Sequence, residues 1–235
     1  MDSVTLQRTY LDLTTPHVAD ACMRLGIPVR FAPPAMTALW KGIHMVGRVL
    51  PVRHYGSVDV FLEALEGASR GDVLVVDNGG RIDEACVGDL VALEVAGAGL
   101  SGLVIWGFHR DSRELATIRL PIFSLGALPA GPQRLDEQEA SALQFAQCGD
   151  HRVTSDDLIL GDDDGILFVP LDRAAGVAEL ASSIRDTERL QAARMQAGTS
   201  FRQQSQFARF LASRRIDPTL TFRQHLRSIG GAIEE

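Results

Sequence analysis

Apolar positions in this chain switch between two rhythms, and the switches mark out the elements. In residues 16–25, Val18, Ala21, Cys22 and Leu25 recur at helical spacing. Thr15 is placed to cap that helix, Pro16 suits its first turn and Gly26 can close it. Residues 46–53 read as a strand bounded by Gly42 and Gly56. Residues 58–66 read as a second helix, with Ser57 as cap and Gly67 as stop. The continuous apolar run Val73-Leu74-Val75-Val76 is typical of a buried strand, and Asp77-Asn78-Gly79-Gly80 ends it with turn chemistry. Residues 88–96 then read as a helix and 103–106 as another buried strand, with 107–113 as the loop at its C-terminal end. A short strand after Pro121 lies within 118–124.

Farther on, Leu158-Ile159-Leu160 and Ile166-Leu167-Phe168-Val169 flank Gly161-Asp162-Asp163-Asp164-Gly165, a hairpin pattern. Residues 174–195 are rich in Ala, Glu, Leu and Arg and predict a long helix. The tail after Gly198 reads as two more short helical pieces. Strands and helices mix throughout, so the class is α/β or α+β.

Composition narrows the setting. The chain has 235 residues, 46% hydrophobic, enough to bury a real core within one domain. Its formal net charge of −7 argues against a general nucleic-acid binder, which needs a basic footprint. Cys22, Cys86 and Cys148 are odd in number and widely spaced, which predicts reduced thiols in a cytoplasmic protein. The opening residues MDSVTLQRTY lack the apolar stretch of a secretory signal. The most apolar stretch, 90–108, contains Glu94 and four glycines, so no membrane helix is expected.

Several motifs are weaker than they look. Gly97-Ala98-Gly99-Leu100-Ser101-Gly102 matches the dinucleotide-binding pattern, but here the helix precedes it and the strand follows, the reverse of what that site needs. His109-Arg110-Asp111 matches the start of a kinase catalytic loop, yet Ala116 stands where that loop requires Asn. Asp162-Asp163-Asp164 are consecutive, so their side chains diverge, and they read as a solvated hairpin turn rather than a calcium loop. The six histidines are scattered and form no H-x-x-x-H pair.

The chemistry concentrates in two pieces. Gly88-Asp89-Leu90-Val91 opens a helix, where free N–H groups and the positive dipole end suit a carboxylate. Arg110-Asp111 lies in the loop after a buried strand, a favoured place for ligands in α/β proteins. A lone Asp can hold Mg²⁺, which keeps several of its waters. Arg110 can pair with a 2-oxo oxygen and stabilise the enolate that develops there.

Twenty residues separate Asp89 from Arg110-Asp111. With Gly88-Asp89-Leu90 and the flanks Gly107 to Leu115, this pattern closely resembles the RraA-like family. That family includes the metal-dependent 4-hydroxy-4-methyl-2-oxoglutarate and 4-carboxy-4-hydroxy-2-oxoadipate aldolases, and the ribonuclease E activity regulators. Val18 to Gly26 resembles the family's opening helix, Gly71 to Asp77 its central strand and Asp163 to Pro170 its closing hairpin. The resemblance implies a layered β/β/α fold of the swivelling type, over residues 1–200, with a C-terminal helical extension over 201–235. It implies homotrimers or hexamers.

It further implies that Asp111 is the only direct protein ligand of Mg²⁺ or Mn²⁺, that Arg110 contacts the pyruvyl oxo group, that backbone amides of Gly88, Asp89, Leu90 and Val91 hold the substrate carboxylate, and that Asp89 positions water. A neighbouring subunit's C-terminal carboxylate, Glu234 or Glu235 here, could approach the site. The implied activity is a lyase acting on a small 2-oxo acid: retro-aldol cleavage of a 4-hydroxy-2-oxo acid to pyruvate, with oxaloacetate decarboxylation through the same enolate. The alternative is a non-catalytic regulator that binds a ribonuclease or another protein. Trp106 and His109, which flank the motif, depart from the best-known aldolases. They add bulk and a possible acid or base beside the metal.

Overall fold

A computed structural model describes residues 2–230. Helices α1 (Ser3–Tyr10) and α2 (Thr15–Arg24) come first, then short strands β1 (Arg30–Phe31) and β2 (Thr37–Ala38). The long strand β3 (Met45–Arg53) leads to helix α3 (Asp59–Glu66). Strands β4 (Val73–Asp77) and β5 (Ala85–Val87) precede helix α4 (Asp89–Gly97); strands β6 (Gly102–Trp106) and β7 (Phe108–His109) precede helix α5 (Ser112–Ile118). Strand β8 (Ile122–Ser124) is followed by the pair β9 (Ala146–Cys148) and β10 (His151–Val153), then by the hairpin β11 (Asp157–Asp162) and β12 (Gly165–Pro170). Helices α6 (Ala174–Gln196), α7 (Phe201–Gln204), α8 (Phe207–Ile216) and α9 (Phe222–Ser228) complete the described chain.

The main sheet runs β1-β12-β11-β3-β4-β6-β8-β2. Its centre, β3-β4-β6-β8, is parallel, and β11 and β12 join antiparallel beside β3. The edge strands β1 and β2 are joined by only five residues, which span at most about 18 Å. The sheet must therefore curl until its two edges are near each other.

Side-chain alternation along the strands sorts the core into three layers. Val73, Val75, Val104, Phe123, Ile159 and Phe168 point into the curl. Leu74, Val76, Leu103 and Ile105 point out under α3, α4 and α5. Leu158, Leu160, Leu167 and Val169 point out under α1, α2 and α6. Strand β4 is buried along its whole length, as its unbroken apolar run implies. The result is a mixed α/β fold, a curled sheet flanked by helices, with further helices at the C-terminal end.

Some expectations need correction. Helix α2 is capped by Thr14 rather than Thr15; the Thr14 N–H donates to His17 Nδ1 at 3.2 Å. Helix α3 starts after Val58, not Ser57. Residues 107–113 are more than a loop, because they contain β7 and the start of α5. The described part of the tail forms three helices rather than two, with Phe201, Phe207, Phe210 and Phe222 packed against one another and His225. Helix α1, strand β5 and the β9–β10 pair have no counterpart in the sequence reading. They are short, and they owe their place to partners distant in sequence: Tyr10 of α1, for example, donates from its hydroxyl to the Ala174 carbonyl at 2.7 Å.

Candidate functional site

The two pieces singled out in the sequence meet, and a small two-stranded ribbon makes them meet. Strands β5 and β7 pair in parallel, with Ala85 opposite Phe108 and Val87 opposite His109. The Arg110 N–H then donates to the Val87 carbonyl at 2.9 Å. Each strand is followed at once by a helix, so the starts of α4 and α5 lie side by side. Gly88 is the N-cap of α4 and Asp111 the N-cap of α5.

Asp111 adopts a left-handed backbone conformation, φ 59° and ψ 39°, which Asp tolerates better than most residues. Its Oδ2 accepts from the Asp89 N–H at 3.3 Å and lies 3.4 Å from Arg110 Nε. Oδ1 has no hydrogen-bond partner among the described residues. The Leu90 N–H donates to the Asp89 carboxylate at 2.8 Å. The first N–H groups of α4 thus already attract carboxylate oxygens, as a helix N-terminus should. A Cβ at Gly88 would stand 2.3 Å from Asp111 Oδ2, so only glycine permits this approach. Arg110 and Asp111 remain 48% and 35% exposed at the side chain, accessible to a ligand.

A shallow cavity opens here, lined by Arg110, Asp111, Ser112, Ala127, Leu128 and Pro129. The segment 127–131 was missed in the sequence. It forms a wall: a Cβ at Gly131 would come within 2.7 Å of Arg110 Nη1, so that glycine makes room for the guanidinium. Its Pro- and Gly-rich run, Leu128-Pro129-Ala130-Gly131-Pro132, was the available signal.

The two departures beside the motif point elsewhere. His109 is buried, its Nδ1 2.7 Å from Ser124 Oγ and its Nε2 3.0 Å from Ser112 Oγ. Both ring nitrogens are taken, and burial pushes its pKa down, so it serves as a neutral strut between β8 and the start of α5. Trp106 packs its indole on Gly80, where an added Cβ would meet the ring at 2.6 Å.

Other motifs resolve as structure. Gly97 ends α4 and Gly102 opens β6, the reversed order expected for the glycine-rich turn. Asp162 is not solvated: it is buried, and its carboxylate accepts from the Thr15 N–H and Oγ1, both at 2.7 Å, and from the Asp164 N–H at 3.0 Å. Cys22, Cys86 and Cys148 are buried free thiols, and burial pushes Cys148 up to about 12. Among the described residues no helix is long and apolar enough to cross a membrane. Among the same residues no group of three or more His, Cys, Asp or Glu gathers as a metal cage. The donor set at Asp111 is carboxylate oxygen, with one oxygen unengaged and solvent adjacent. It fits a hard cation of the Mg²⁺ or Mn²⁺ kind, which needs few protein ligands. Glu234 and Glu235 lie outside the described residues.

Known proteins share this sequence and this shape. A "Putative 4-hydroxy-4-methyl-2-oxoglutarate aldolase" of Shewanella oneidensis is 34% identical over 91 residues, 39% of this chain and 56% of that protein. One of the same name from Aromatoleum aromaticum is 32% identical over 113 residues, 48% of this chain and 71% of that protein. This chain therefore matches little more than half the length of the Shewanella relative.

Among solved structures, an uncharacterized protein from Pseudomonas syringae pv. tomato superimposes with a TM-score of 0.74 at 23% identity, covering 86% of this chain and 97% of that one. Streptomyces coelicolor RraAS2, described as an unusual member of the RNase ES inhibitor RraA protein family, gives a TM-score of 0.70 at 24% identity, covering 83% and 100%. At those identities the likeness is one of fold. The sequence profile of the RraA-like family, Aldolase/RraA, matches residues 15–168, well over half of the chain, and the protein belongs to that family.

Proposed function

We propose that the protein is a divalent-metal-dependent lyase that cleaves a 4-hydroxy-2-oxo acid to pyruvate by retro-aldol chemistry and decarboxylates oxaloacetate through the same enolate. The observation that carries this reading is the meeting of Gly88, Asp89, Arg110 and Asp111 at paired helix starts. The names of the Shewanella and Aromatoleum relatives support the lyase class.

Asp111 would be the sole direct protein ligand of Mg²⁺ or Mn²⁺. When bound, the ion supplies Lewis acidity to the carboxylate and oxo oxygens of the substrate. The amides at the start of α4, from Gly88 to Val91, receive the substrate carboxylate. The Leu90 N–H, which donates to the Asp89 side chain at 2.8 Å, supports this role. Asp89, released from that contact, takes the proton of the 4-hydroxyl through a water that it holds, and the C4 oxygen becomes the carbonyl of the departing product. The C3–C4 bond breaks, its electron pair forms the enolate of pyruvate, and the Arg110 guanidinium stabilises the charge on the enolate oxygen. Protonation at C3 gives pyruvate.

The protein is read as cytoplasmic and as a homotrimer or hexamer, with residues 201–235 as an extension to the family domain. Exposed Leu90 and Leu93 on α4, with Ile82 and Leu135, support assembly near the site, since large apolar side chains left open at one end of a sheet are often covered by a partner. Purified protein with Mg²⁺ and either oxaloacetate or 4-hydroxy-4-methyl-2-oxoglutarate should release pyruvate, and Asp111→Ala should lower the rate by about 10³-fold or more. Equal pyruvate formation by Asp111→Ala would overturn the assignment.

A further inference from the structure

The charge of this chain is segregated, and the total conceals it. Residues 1–184 carry 14 basic and 25 acidic residues, a formal net of −11. Residues 185–235 carry nine arginines, no lysine and five acidic residues, a formal net of +4. This second stretch covers the outer half of α6 and all of α7, α8 and α9.

The C-terminal helices pack their aromatic residues around buried Phe210 and turn arginines outward. Phe210 is 2% exposed and packs on Phe222 and His225 with ring centroids 5.0 and 5.4 Å away. His225 is held by the Ser205 carbonyl at 2.8 Å from Nε2. Arg189, Arg194, Arg202, Arg209, Arg214 and Arg215 are all exposed. Among the described residues none of these six forms an ion pair with a carboxylate. The three acids among the described residues of the stretch are already engaged: Asp186 with Arg185 at 2.8 Å, Glu188 with His17 at 3.3 Å and Asp217 with the Thr219 hydroxyl at 2.6 Å.

We propose that the outward face of these helices docks the phosphate backbone of a nucleic acid. Arginine presents a planar fork that matches paired phosphate oxygens, and it stays charged at any physiological pH. The acidic body of a second copy is the competing occupant, but its carboxylates near the sheet's C-terminal end are already satisfied within the chain. Asp59 accepts from Tyr55, Glu63 from Gln138, and Asp83, Asp136 and Glu139 pair with Arg81, Arg134 and Arg53. A second copy docked through those carboxylates would have to break these contacts, and a free polyanion would not. The net of −7 averages an acidic body of −11 with a basic C-terminal stretch. The arginine side chains meet phosphate and not base edges, so binding follows the backbone without sequence preference.

The test uses the full chain and a fluorescein-labelled twenty-nucleotide uridine RNA, titrated by anisotropy at a series of salt concentrations. The wild type binds, and its affinity falls steeply with salt. Arg202→Gln/Arg209→Gln/Arg215→Gln weakens binding about tenfold or more at the lowest salt. It also flattens the log–log salt slope by about 2, since each phosphate contact on a single strand contributes about 0.7. Arg8→Gln/Lys41→Gln/Arg70→Gln removes the same charge from the body and leaves affinity and slope in place. A mixed-sequence RNA binds as the uridine RNA does. Equal binding by the wild type and the C-terminal variant overturns the proposal. So does capture of phosphatidylglycerol vesicles without capture of RNA. So does a C-terminal variant that loses self-association in sedimentation while the wild type ignores RNA.

Discussion

Two groups of aspartates in this protein invite the same first reading and have opposite fates. Asp162-Asp163-Asp164 looks like a cation loop by density of charge. Asp89 and Asp111 are two isolated residues more than twenty positions apart. In the structure the first two residues of the dense group serve the fold. Asp162 is buried with three hydrogen bonds to Thr15 and Asp164, and Asp163 accepts from the Gly42 N–H at 2.8 Å. The sparse group is kept open: Asp111 has one oxygen engaged at 3.3–3.4 Å and one without a partner among the described residues. What distinguishes a structural carboxylate from one available to a ligand is unused acceptor capacity, not the local count of charges.

The comparison can be broken most severely at Gly88. In Gly88→Ala the new Cβ would stand 2.3 Å from Asp111 Oδ2 and push the carboxylate away. Displacement of that order should lower pyruvate formation by about 10²-fold while the melting temperature stays near wild type. Full activity in that variant would mean that the approach of Asp111 to α4 is incidental.

The converse substitution is Asp162→Ala. It strips a buried acceptor from the Thr15 N–H and hydroxyl, which should destabilise the fold by about 1–3 kcal/mol. Thermal unfolding would then move down by roughly 2–4 °C for each kcal/mol, with activity per folded molecule preserved. A stable but inactive Asp162→Ala would reverse the roles assigned to the two groups.

A smaller effect concerns pH, and it separates the histidines from the carboxylates. Burial pushes His54 below its ordinary value of 6.5, against the opposing effect of its hydrogen bond to Asn78. The unfolded chain therefore takes up a proton near pH 6.5 that the folded chain refuses. Stability from this group is complete above that pH and is lost as pH falls toward the lowered folded value. His109, lowered for the same reason, adds to the slope. Melting temperatures should fall on acidification through this range, and less steeply in His54→Gln. A rise on acidification, or an unchanged slope in the variant, would contradict the account.

The sequence revealed the long and periodic parts of the fold. Strands β4 and β6, the β11–β12 hairpin and the 23-residue helix α6 were legible because each carries its own hydrophobic rhythm. The site was legible as residue types at a spacing, and not as geometry. Strands β5 and β7 have three and two residues, too short for a period, yet their pairing is what sets Gly88 against Asp111. The wall at 127–131 was invisible for a related reason: its role depends on the reach of Arg110, not on any pattern of its own. In the sequence His109 stood as a possible acid or base, and its contacts to Ser112 and Ser124 make it a strut instead.

The most direct test of the central claim is the affinity for Mn²⁺, followed by the electron paramagnetic resonance signal of the free ion in wild type, Asp111→Asn and Asp162→Asn. Mn²⁺ should bind the wild type and Asp162→Asn alike, and Asp111→Asn at least about tenfold more weakly, since a neutral amide replaces the charged ligand. Undiminished binding by Asp111→Asn, or loss of binding in a folded Asp162→Asn, would contradict the account.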